Sequence, residues 1–331
     1  MSLKINSQQA LVSVIVPVYN RSIYLKQAIQ SALNQTYQNI EIIVSDDCSP
    51  DSPEAIVKSF NDPRIRFRRN PKNLGVASNI ISTVKEARGK YVASLNDDDM
   101  WEEKFLEKLV PQLENNQELV LAFCDHYIID DRSKIDDVAT EECTQMWKRN
   151  ELKEGIYQPF YKIALVNQSV PSSVAAVIRK NAIDWDNFPP QAGPFWDLYL
   201  TYMACRNGGG AYYFPQRLSK YRVHALSETM NIGSKNTKAK IRGASSTVFC
   251  FSQFMEDEAL QEFKGYFRKK WLHAQTTLAI GLLRDENIIE ARPLLLRALI
   301  QQKFNPRTIA AFAISFIPKP LARKLLVGHG V

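Results

Sequence analysis

The chain has 331 residues, 45% of them hydrophobic, which is enough for a substantial core in one large domain or two ordinary ones. Its five cysteines form no Cys-x-x-Cys pair, which excludes a thiolate zinc site. Its first ten residues are polar and contain no apolar signal region, which favours a cytoplasmic protein. The net charge of +7 is uneven, because residues 231–331 carry 16 basic and 7 acidic side chains and the first 230 residues therefore carry −2.

Apolar, β-branched runs alternate with helical patterns through the first 130 residues. The predicted strands are residues 11–19, 40–46, 64–69, 90–96 and 119–124. Between most of them, apolar residues recur three and four positions apart, as in IYLKQAIQSAL, which is typical of amphipathic helices. The alternation predicts an α/β fold with a Rossmann-like, mostly parallel sheet flanked by helices, whose ligand site lies beyond the carboxyl ends of the strands.

Polar segments follow three of these strands, and two of the segments are rich in aspartate. Strand one ends in PVYNRS, strand two in SDDCSPDS and strand four in NDDDMW. Because the carboxyl ends of parallel strands meet at one edge of a sheet, we expect Asp46–Asp47 and Asp97–Asp99 at the same edge. A solvated loop could explain either acidic group alone, but three adjacent aspartates repel one another unless water or a cation lies among them.

Several nucleotide-binding and hydrolase motifs are absent from the sequence. There is no Gly-x-Gly-x-x-Gly after the first strand, no P-loop and no Gly-x-Ser-x-Gly. A carboxylate site for a hard cation remains, because Mg²⁺ and Mn²⁺ prefer oxygen ligands and are usually held by one or two carboxylates and substrate phosphates. The acidic groups therefore fit a nucleotide whose base and ribose contact one group and whose diphosphate-bound metal contacts the other.

The second half of the chain is read as a few strands and then helices only. SSVAAVIRK predicts a strand, FWDLYLTYMACRNGG a helix closed by glycines, and AYYFP and LSKYRVH two short aromatic strands. Residues 131–170 show no clear period, whereas the pattern is helical from Thr237 to the end. We divide the chain into a catalytic domain, residues 1–228, and a helical C-terminal region, residues 229–331.

The last segment, TIAAFAISFIPKPLARKLL, is an apolar run followed by basic residues and prolines. The run is too short to span a membrane and suits a peripheral anchor on an anionic phospholipid surface, and a helix packed against the body is the alternative. The basic residues form no recognisable nucleic-acid motif, so we expect a membrane partner and no nucleic acid.

The stretch VSVIVPVYNRSIYLKQAIQSALNQTYQNIEIIVSDDCSPD resembles the opening of a family 2 glycosyltransferase with the nucleotide-sugar-binding GT-A fold. NPKNLGVASN, ARGKYVASLNDDDMW and LSKYRVH continue the resemblance in order, which is dense over residues 11–130 and loose over 172–225. It implies inverting transfer from a nucleoside diphosphate sugar, namely a UDP-sugar, to a polysaccharide or lipid-linked glycan acceptor. Mn²⁺ or Mg²⁺ would be the cofactor, and the cytoplasmic face of a membrane the location.

The resemblance also implies the nucleotide contacts. Pro17 and Tyr19 would lie along the nucleotide, Asp47 would read the base, and Asn79 would start a helix close to the nucleotide. Asp97 would take the ribose side.

The metal ligands are implied in the same way. The family's Asp-x-Asp triplet aligns with residues 96–98, where Asn96 replaces the first acid, so Asp98 is the predicted metal ligand. His224 would be a second ligand or a diphosphate contact. Arg222, two residues before it on the same strand face, could pair with a phosphate, with a structural histidine and a surface arginine as the alternatives.

The general base is predicted from the start of the helix in FWDLYL. The family usually places an acidic pair just before this helix, where Pro194 and Phe195 stand here, and Asp197 is the acid in the first turn. Asp197 could instead serve only as a capping charge, with Asp184 or Asp186 nearer the acceptor.

Trp196 precedes the predicted base and could stack on the acceptor sugar, with core packing as the alternative. The departure from the family pattern at Phe195 leaves a second function open. In that case the chain would be a catalytically silent nucleotide-sugar-binding module.

Overall fold

A computed structural model describes residues 9–206, 208–225, 227, 230, 232, 236–302 and 305–318. The chain divides into two compact units. The first comprises Met1–Phe188 and Asp197–Val223, and the second comprises Pro189–Trp196 and His224–Val331. That catalysis is confined to residues 1–228 remains a prediction.

Within the described residues, the first unit is built on a mixed sheet of nine strands. They are β1 (Val12–Val18), β2 (Ile40–Asp46), β3 (Ile65–Arg69), β4 (Tyr91–Ser94), β5 (Met100–Trp101), β6 (Leu119–Ile129), β7 (Gly155–Tyr157), β8 (Ala176–Arg179) and β9 (Gly210–Arg222). Their spatial order is β3-β2-β1-β4-β8-β6-β9-β5, and β7 also pairs with β9. The half formed by β3, β2, β1 and β4 is parallel, as predicted, whereas β8, β5 and β7 run antiparallel to their neighbours.

Helices connect and flank the strands of this unit. They are α1 (Ser22–Leu33), α2 (Glu54–Lys58), α3 (Val76–Glu86), α4 (Phe105–Asn115), α5 (Asp137–Met146) and α6 (Trp196–Arg206). Residues 131–170, which show no period in the sequence, contain α5, β7 and one π-helical turn, Lys162–Val166. The Asp136 carboxylate caps α5 by accepting a hydrogen bond from the Ala139 N–H at 2.9 Å.

The core explains why the first strands are continuous apolar runs. Every residue of β1 and β2 is buried, as expected of parallel strands covered on both faces. Against β1, helix α1 buries Leu25, Ala28, Ile29 and Ala32, which recur three and four positions apart. Full burial of a leucine or isoleucine side chain contributes roughly 1.5–3 kcal/mol, so this face of the helix fixes α1 on the sheet.

β9 is one strand where the sequence predicts two. Its parallel register with β6 shifts on both sides of Asp125, so that Cys124 pairs with Phe214 and Asp125 with Arg217. Pro215 lies in the skipped positions, where a residue without an N–H is tolerated. The prediction of two separate strands is therefore wrong, because Pro215 marks a bulge and not the end of a strand.

The second unit is helical in its described part beyond Thr237, as predicted. Its helices are α7 (Thr237–Glu256), α8 (Lys264–Arg284), α9 (Ile288–Gln302) and α10 (Pro306–Ile314). α10 packs on α8 and α9 through Thr308 and Ala311, which are fully buried, while Ile309 and Phe316 are exposed. The predicted anchor is thus in part a packed helix, and its basic residues from Lys319 onward lie outside the described residues. In the portion of the chain that the structure describes, every helix is too short or too polar to cross a membrane.

Candidate functional site

Loops leave the sheet side by side at the carboxyl ends of β1, β2 and β4. The Asp47 N–H donates to the Val18 carbonyl at 2.9 Å, and the Leu95 N–H donates to the Ile15 carbonyl at 2.9 Å. Both bonds continue the parallel pairing of β1 with β2 and with β4 beyond the strand ends. The loop that carries Asp47 and the loop that carries Asp97 therefore share one edge of the sheet, as the sequence predicted.

A guanidinium group spans the first two carboxylates of the aspartate run. Arg21 places Nη2 2.7 Å from Asp97 Oδ1 and Nη1 2.6 Å from Asp98 Oδ2. Asp97 is fully buried, and neither of its carboxylate oxygens accepts a hydrogen bond of standard geometry from the described residues. Burial raises the pKa of the Asp97 carboxyl, the Asp98 carboxylate adds to the rise, and the Arg21 guanidinium opposes it. Arg21 thus places one positive charge against both of these carboxylates.

Asp99, the third acid of the run, bonds to donors of the protein. Its carboxylate accepts the Asn96 side-chain N–H and the Arg222 backbone N–H, both at 2.8 Å. Burial and then the Asp98 carboxylate raise the pKa of Asp99 well above its usual range. Asp99 therefore ties the acidic loop to β9, and the amide at position 96 serves the same contact.

Arg222 lies buried beneath the acidic loop. Its Nε donates to the Asp98 carbonyl at 2.7 Å, and its Cζ lies 4.4 Å from the centroid of the Tyr24 ring. The remaining N–H groups point to protein acceptors: Asp130 O, Ser133 Oγ, Gln27 Oε1 and Met100 Sδ. The guanidinium thus braces the loop and is not a surface arginine, and its contact with a phosphate remains a prediction.

Asp47 organises the loop that precedes α3. Its carboxylate accepts from Asn70 Nδ2 at 2.9 Å and from the backbone N–H groups of Leu74 and Gly75 at 2.8 Å each. Gly75 has a φ of +82°, a conformation in which a side chain would be strained. The predicted base-reading acid is therefore held rigidly at the edge of the sheet.

Asn79 is buried below this loop. It donates to the Ser45 carbonyl at 2.9 Å and accepts from the Ser45 hydroxyl at 2.5 Å and from Asn70 Nδ2 at 2.9 Å. Arg68 joins the same network through Ser45 Oγ at 2.9 Å. These bonds place Asn79 as a support of the Asp47 loop, and its contact with the nucleotide remains a prediction.

Asp197 lies half-buried in the first turn of α6. Burial raises the pKa of its carboxyl, and hydrogen bonds from the Leu198 N–H and the Ser173 hydroxyl oppose the rise. By contrast, Asp184 is solvent-exposed, and hydrogen bonds from Asn187 lower the pKa of its carboxyl. A carboxylate with a raised pKa is the stronger base, so the environment favours Asp197 over Asp184.

The remaining predicted residues have mixed surroundings. Pro17 is buried within β1, whereas Tyr19, just past the strand, is 48% exposed. Trp196 is only 5% exposed, which agrees with core packing. His224 is also buried and, like Trp196, belongs to the second unit, so its role as a metal ligand remains a prediction.

Two arginines at this edge were missed in the sequence. Arg21 lies in the segment PVYNRS, where no periodic pattern of the sequence predicts its contact with Asp97 and Asp98. Arg69 Nη1 lies 2.5 Å from Asp46 Oδ2, and this pair could have been found, because the two residues end neighbouring predicted strands. Charge pairing across strand ends is therefore a usable signal for this site.

The acidic loop fits a divalent cation. Arg21 already shows that the Asp97 and Asp98 carboxylates accept positive charge there. Among the described residues, no cluster of three or more His, Cys, Asp or Glu has a metal-binding arrangement. A cation here would take one or two carboxylate ligands from the loop and the rest from substrate phosphates, and this remains a prediction.

The sequence matches a family model described as Glycosyl transferase family 2 over residues 13–182. A relative from Rickettsia typhi, an uncharacterized glycosyltransferase, is 37% identical over 134 residues, 40% of this chain and 41% of that protein. A putative teichuronic acid biosynthesis glycosyltransferase, TuaG of Bacillus subtilis, is 38% identical over 115 residues, 34% of this chain and 44% of that protein. The chain spans about two fifths of the length of the first curated relatives it matches.

Two solved structures share the fold. The mannosyltransferase PcManGT from Pyrobaculum calidifontis, in complex with GDP-Man and Mn²⁺, has a TM-score of 0.55 at 16% identity, over 97% of this chain and 85% of that chain. S. aureus TarS 1–349 in complex with UDP has a TM-score of 0.54 at 17% identity, over 96% of this chain and 92% of that chain. The likeness confirms the GT-A architecture predicted from the sequence.

Proposed function

Because the chain belongs to glycosyl transferase family 2, we propose that it transfers a sugar from a nucleoside diphosphate sugar to a glycan acceptor with inversion at the anomeric carbon. The observation that carries the proposal is the Asp97–Asp98 pair, which is bound to a cationic side chain at the carboxyl edge of the sheet. A diphosphate leaving group needs cationic neutralisation, and this pair can hold the cation.

The donor would bind along the same edge. Pro17 and Tyr19 would flank the nucleotide, Asp47 would accept a hydrogen bond from the base, and Asp97 would face the ribose. The rigid Asp47 loop supports base recognition, since three donors already fix the orientation of its carboxylate. We propose UDP as the nucleotide; TarS has been solved with UDP, whereas PcManGT has been solved with GDP-Man.

Asp98 would hold Mn²⁺ or Mg²⁺, with His224 as the candidate second ligand. When bound, the cation neutralises charge that develops on the departing diphosphate. Arg222 and Asp99 keep Asp98 in place, because they bond the loop to β9 at 2.7–2.8 Å.

Asp197 would accept the proton of the acceptor hydroxyl. In a single displacement, the acceptor oxygen bonds to the anomeric carbon as the bond from that carbon to the diphosphate oxygen breaks on the opposite face. The proton passes to Asp197, and the nucleoside diphosphate leaves with the bonding electrons. The raised pKa of Asp197 supports this role, since a carboxylate whose pKa lies above its usual range binds a proton more tightly.

The acceptor would be a polysaccharide or a lipid-linked glycan at the cytoplasmic face of a membrane. TuaG, a relative over part of the chain, is named for teichuronic acid biosynthesis, which supports a polymer acceptor. The basic C-terminal end would attach the protein peripherally. Truncation after Pro318 should then weaken binding to vesicles of anionic phospholipid, and unchanged binding would refute the attachment.

The test of the function is release of nucleoside diphosphate from a panel of UDP- and GDP-sugars, with Mn²⁺, Mg²⁺ or EDTA. We expect turnover of a UDP-sugar that EDTA abolishes and that Asp98→Ala lowers at least 100-fold. Asp137→Asn removes an exposed acid at the start of α5 and should behave like the wild type. Full turnover in EDTA would contradict the metal assignment.

A silent nucleotide-sugar-binding module is the second candidate, favoured by Phe195 where the family usually has an acid. It predicts that UDP-sugars bind but are neither hydrolysed nor transferred across a panel of glycan acceptors. Transfer to any acceptor, lost in Asp197→Asn with donor binding retained, would exclude it.

A further inference from the structure

Arg21 is held where it is by the loop that follows β2. It lies between two backbone N–H groups that donate into this loop: Asn20 to Ser49 Oγ at 3.0 Å and Ser22 to Asp51 Oδ2 at 3.0 Å. Asn20 has a φ of +54°, a left-handed turn that asparagine tolerates better than most residues. The backbone therefore presents Arg21 to the acidic edge, and its side chain remains 23% exposed to solvent.

The guanidinium contacts the two acids with separate nitrogens. Nη2 forms an ion pair with Asp97 Oδ1 at 2.7 Å, and Nη1 donates a charge-assisted hydrogen bond to Asp98 Oδ2 at 2.6 Å. Asp97 is fully buried and Asp98 nearly so. Two adjacent buried carboxylates are costly without a counter-charge, so the free protein has a structural need for this arginine.

We propose that Arg21 is the resident counter-cation of the donor site and that a divalent cation arriving with the donor takes its place on Asp98. This inference rests on the proposed function, because it assumes that Asp98 holds the metal. A metal at Asp98 and the Nη1 group, which lies 2.6 Å from Asp98 Oδ2, would be bound to the same carboxylate and would repel each other. The partial exposure of Arg21 lets it leave without disturbing the core.

The exchange makes Arg21 a positioning residue and not a catalytic one. Before the donor binds, its positive charge lies against both Asp97 and Asp98. Once a divalent cation is bound, its positive charge would replace that of the guanidinium beside the two carboxylates. Arg21 therefore lowers the affinity of the ligand-free protein for metal. It also holds the donor site in its formed state before the donor binds.

The test is Mn²⁺ binding, measured by electron paramagnetic resonance with and without UDP, together with thermal unfolding without metal. Arg21→Gln removes the charge, Arg21→Lys keeps it, and Arg66→Gln is the matched control. Arg66 makes a surface pair with Glu86 at 2.9 Å, and both side chains are more than 40% exposed. If Arg21→Gln folds poorly, the added change Asp98→Asn removes the repulsion and should restore thermal stability.

We expect Arg21→Gln to bind Mn²⁺ about tenfold more tightly than the wild type, since it loses a charge-assisted bond that competes with the metal. It should also unfold at a lower temperature without metal and regain the loss in saturating Mn²⁺. Arg21→Lys should lie near the wild type, and Arg66→Gln should match it in metal affinity.

Two results separate this inference from the proposed function. If the wild type binds Mn²⁺ with UDP but Arg21→Gln, folded by circular dichroism, binds it no more tightly, the exchange is refuted and the metal site stands. If no variant binds Mn²⁺ in the presence of UDP, the metal assignment itself fails and the exchange fails with it.

Discussion

Replacement of Arg222 by methionine tests whether this residue braces the acidic loop. The side chain is 1% exposed and makes hydrogen bonds to two backbone carbonyls, those of Asp98 and Asp130. Each buried carbonyl left without a donor costs about 1–3 kcal/mol, and the further side-chain contacts are lost as well. We therefore expect Arg222→Met to lower the free energy of unfolding by about 4 kcal/mol, within the range of about 3–5 kcal/mol for breaking buried charged contacts.

The measurement is thermal and urea unfolding of the full chain. For a unit of this size, about 4 kcal/mol corresponds to a drop in the melting temperature of roughly 10 °C. Lys220→Met is the control on the same strand: its ammonium lies 2.8 Å from Glu102 Oε1, and both side chains are partly exposed. Such a pair contributes under about 1 kcal/mol, so this variant should unfold close to the wild type.

The same variant decides between the brace and the phosphate contact expected from the sequence. A phosphate ligand would leave the melting temperature of Arg222→Met unchanged and would raise the KM for the donor. A brace lowers the melting temperature in the absence of any ligand. A stable Arg222→Met with a raised KM would refute the reasoning from the buried hydrogen bonds.

Three further predictions use the environments of single residues. Asp197→Asn should lower kcat by about 100- to 10,000-fold with little change in the KM for the donor. The acid limb of the wild-type pH–rate profile should lie above the ordinary aspartate range, because the base acts only when ionised and burial raises its pKa. An acid limb near pH 4 would contradict the assignment. Burial, and then Arg149, lower the pKa of His126 to about 3, so the folded state binds fewer protons than the unfolded state from about pH 3 to 6.5. Stability should therefore fall as the pH falls through that window, by up to about 1.4 kcal/mol per pH unit, and His126→Phe should remove this part of the slope in urea titrations. Gly75→Ala should cost at least about 1 kcal/mol because of its φ of +82°, whereas Gly265→Ala, in α8 with open space around its Cβ, should stabilise slightly, and equal effects on the melting temperature would refute the backbone argument.

The parallel half of the sheet was predictable because its strands are buried on both faces. Continuous apolar runs at β1 and β2 and aspartates directly after β2 and β4 are local features, so the acidic edge follows from the order of elements. The antiparallel strand β8 was also predicted, within SSVAAVIRK, whereas β5 was not, since it is only two residues long. Short strands are fixed by their partners more than by their own pattern.

The side-chain roles were less predictable, for two physical reasons. The face on which Arg222 points depends on register shifts at Asp125, and alternation along the sequence does not survive a bulge. The contact of Arg21 with Asp97 depends on the left-handed turn at Asn20, and the periodicity of the sequence does not predict that turn.

The carboxylates of Asp47, Asp97 and Asp99 have two kinds of partner, and this difference indicates where a side chain could be replaced by a ligand cation. Asp47 and Asp99 accept hydrogen bonds from backbone N–H groups, which cannot leave without unfolding their loops. Asp97 is paired with the side chain of Arg21, which is partly exposed and can move while the backbone stays in place. If a divalent cation replaces Arg21 beside Asp97 and Asp98, as proposed, the diphosphate of the donor would bind at this same end of the aspartate run.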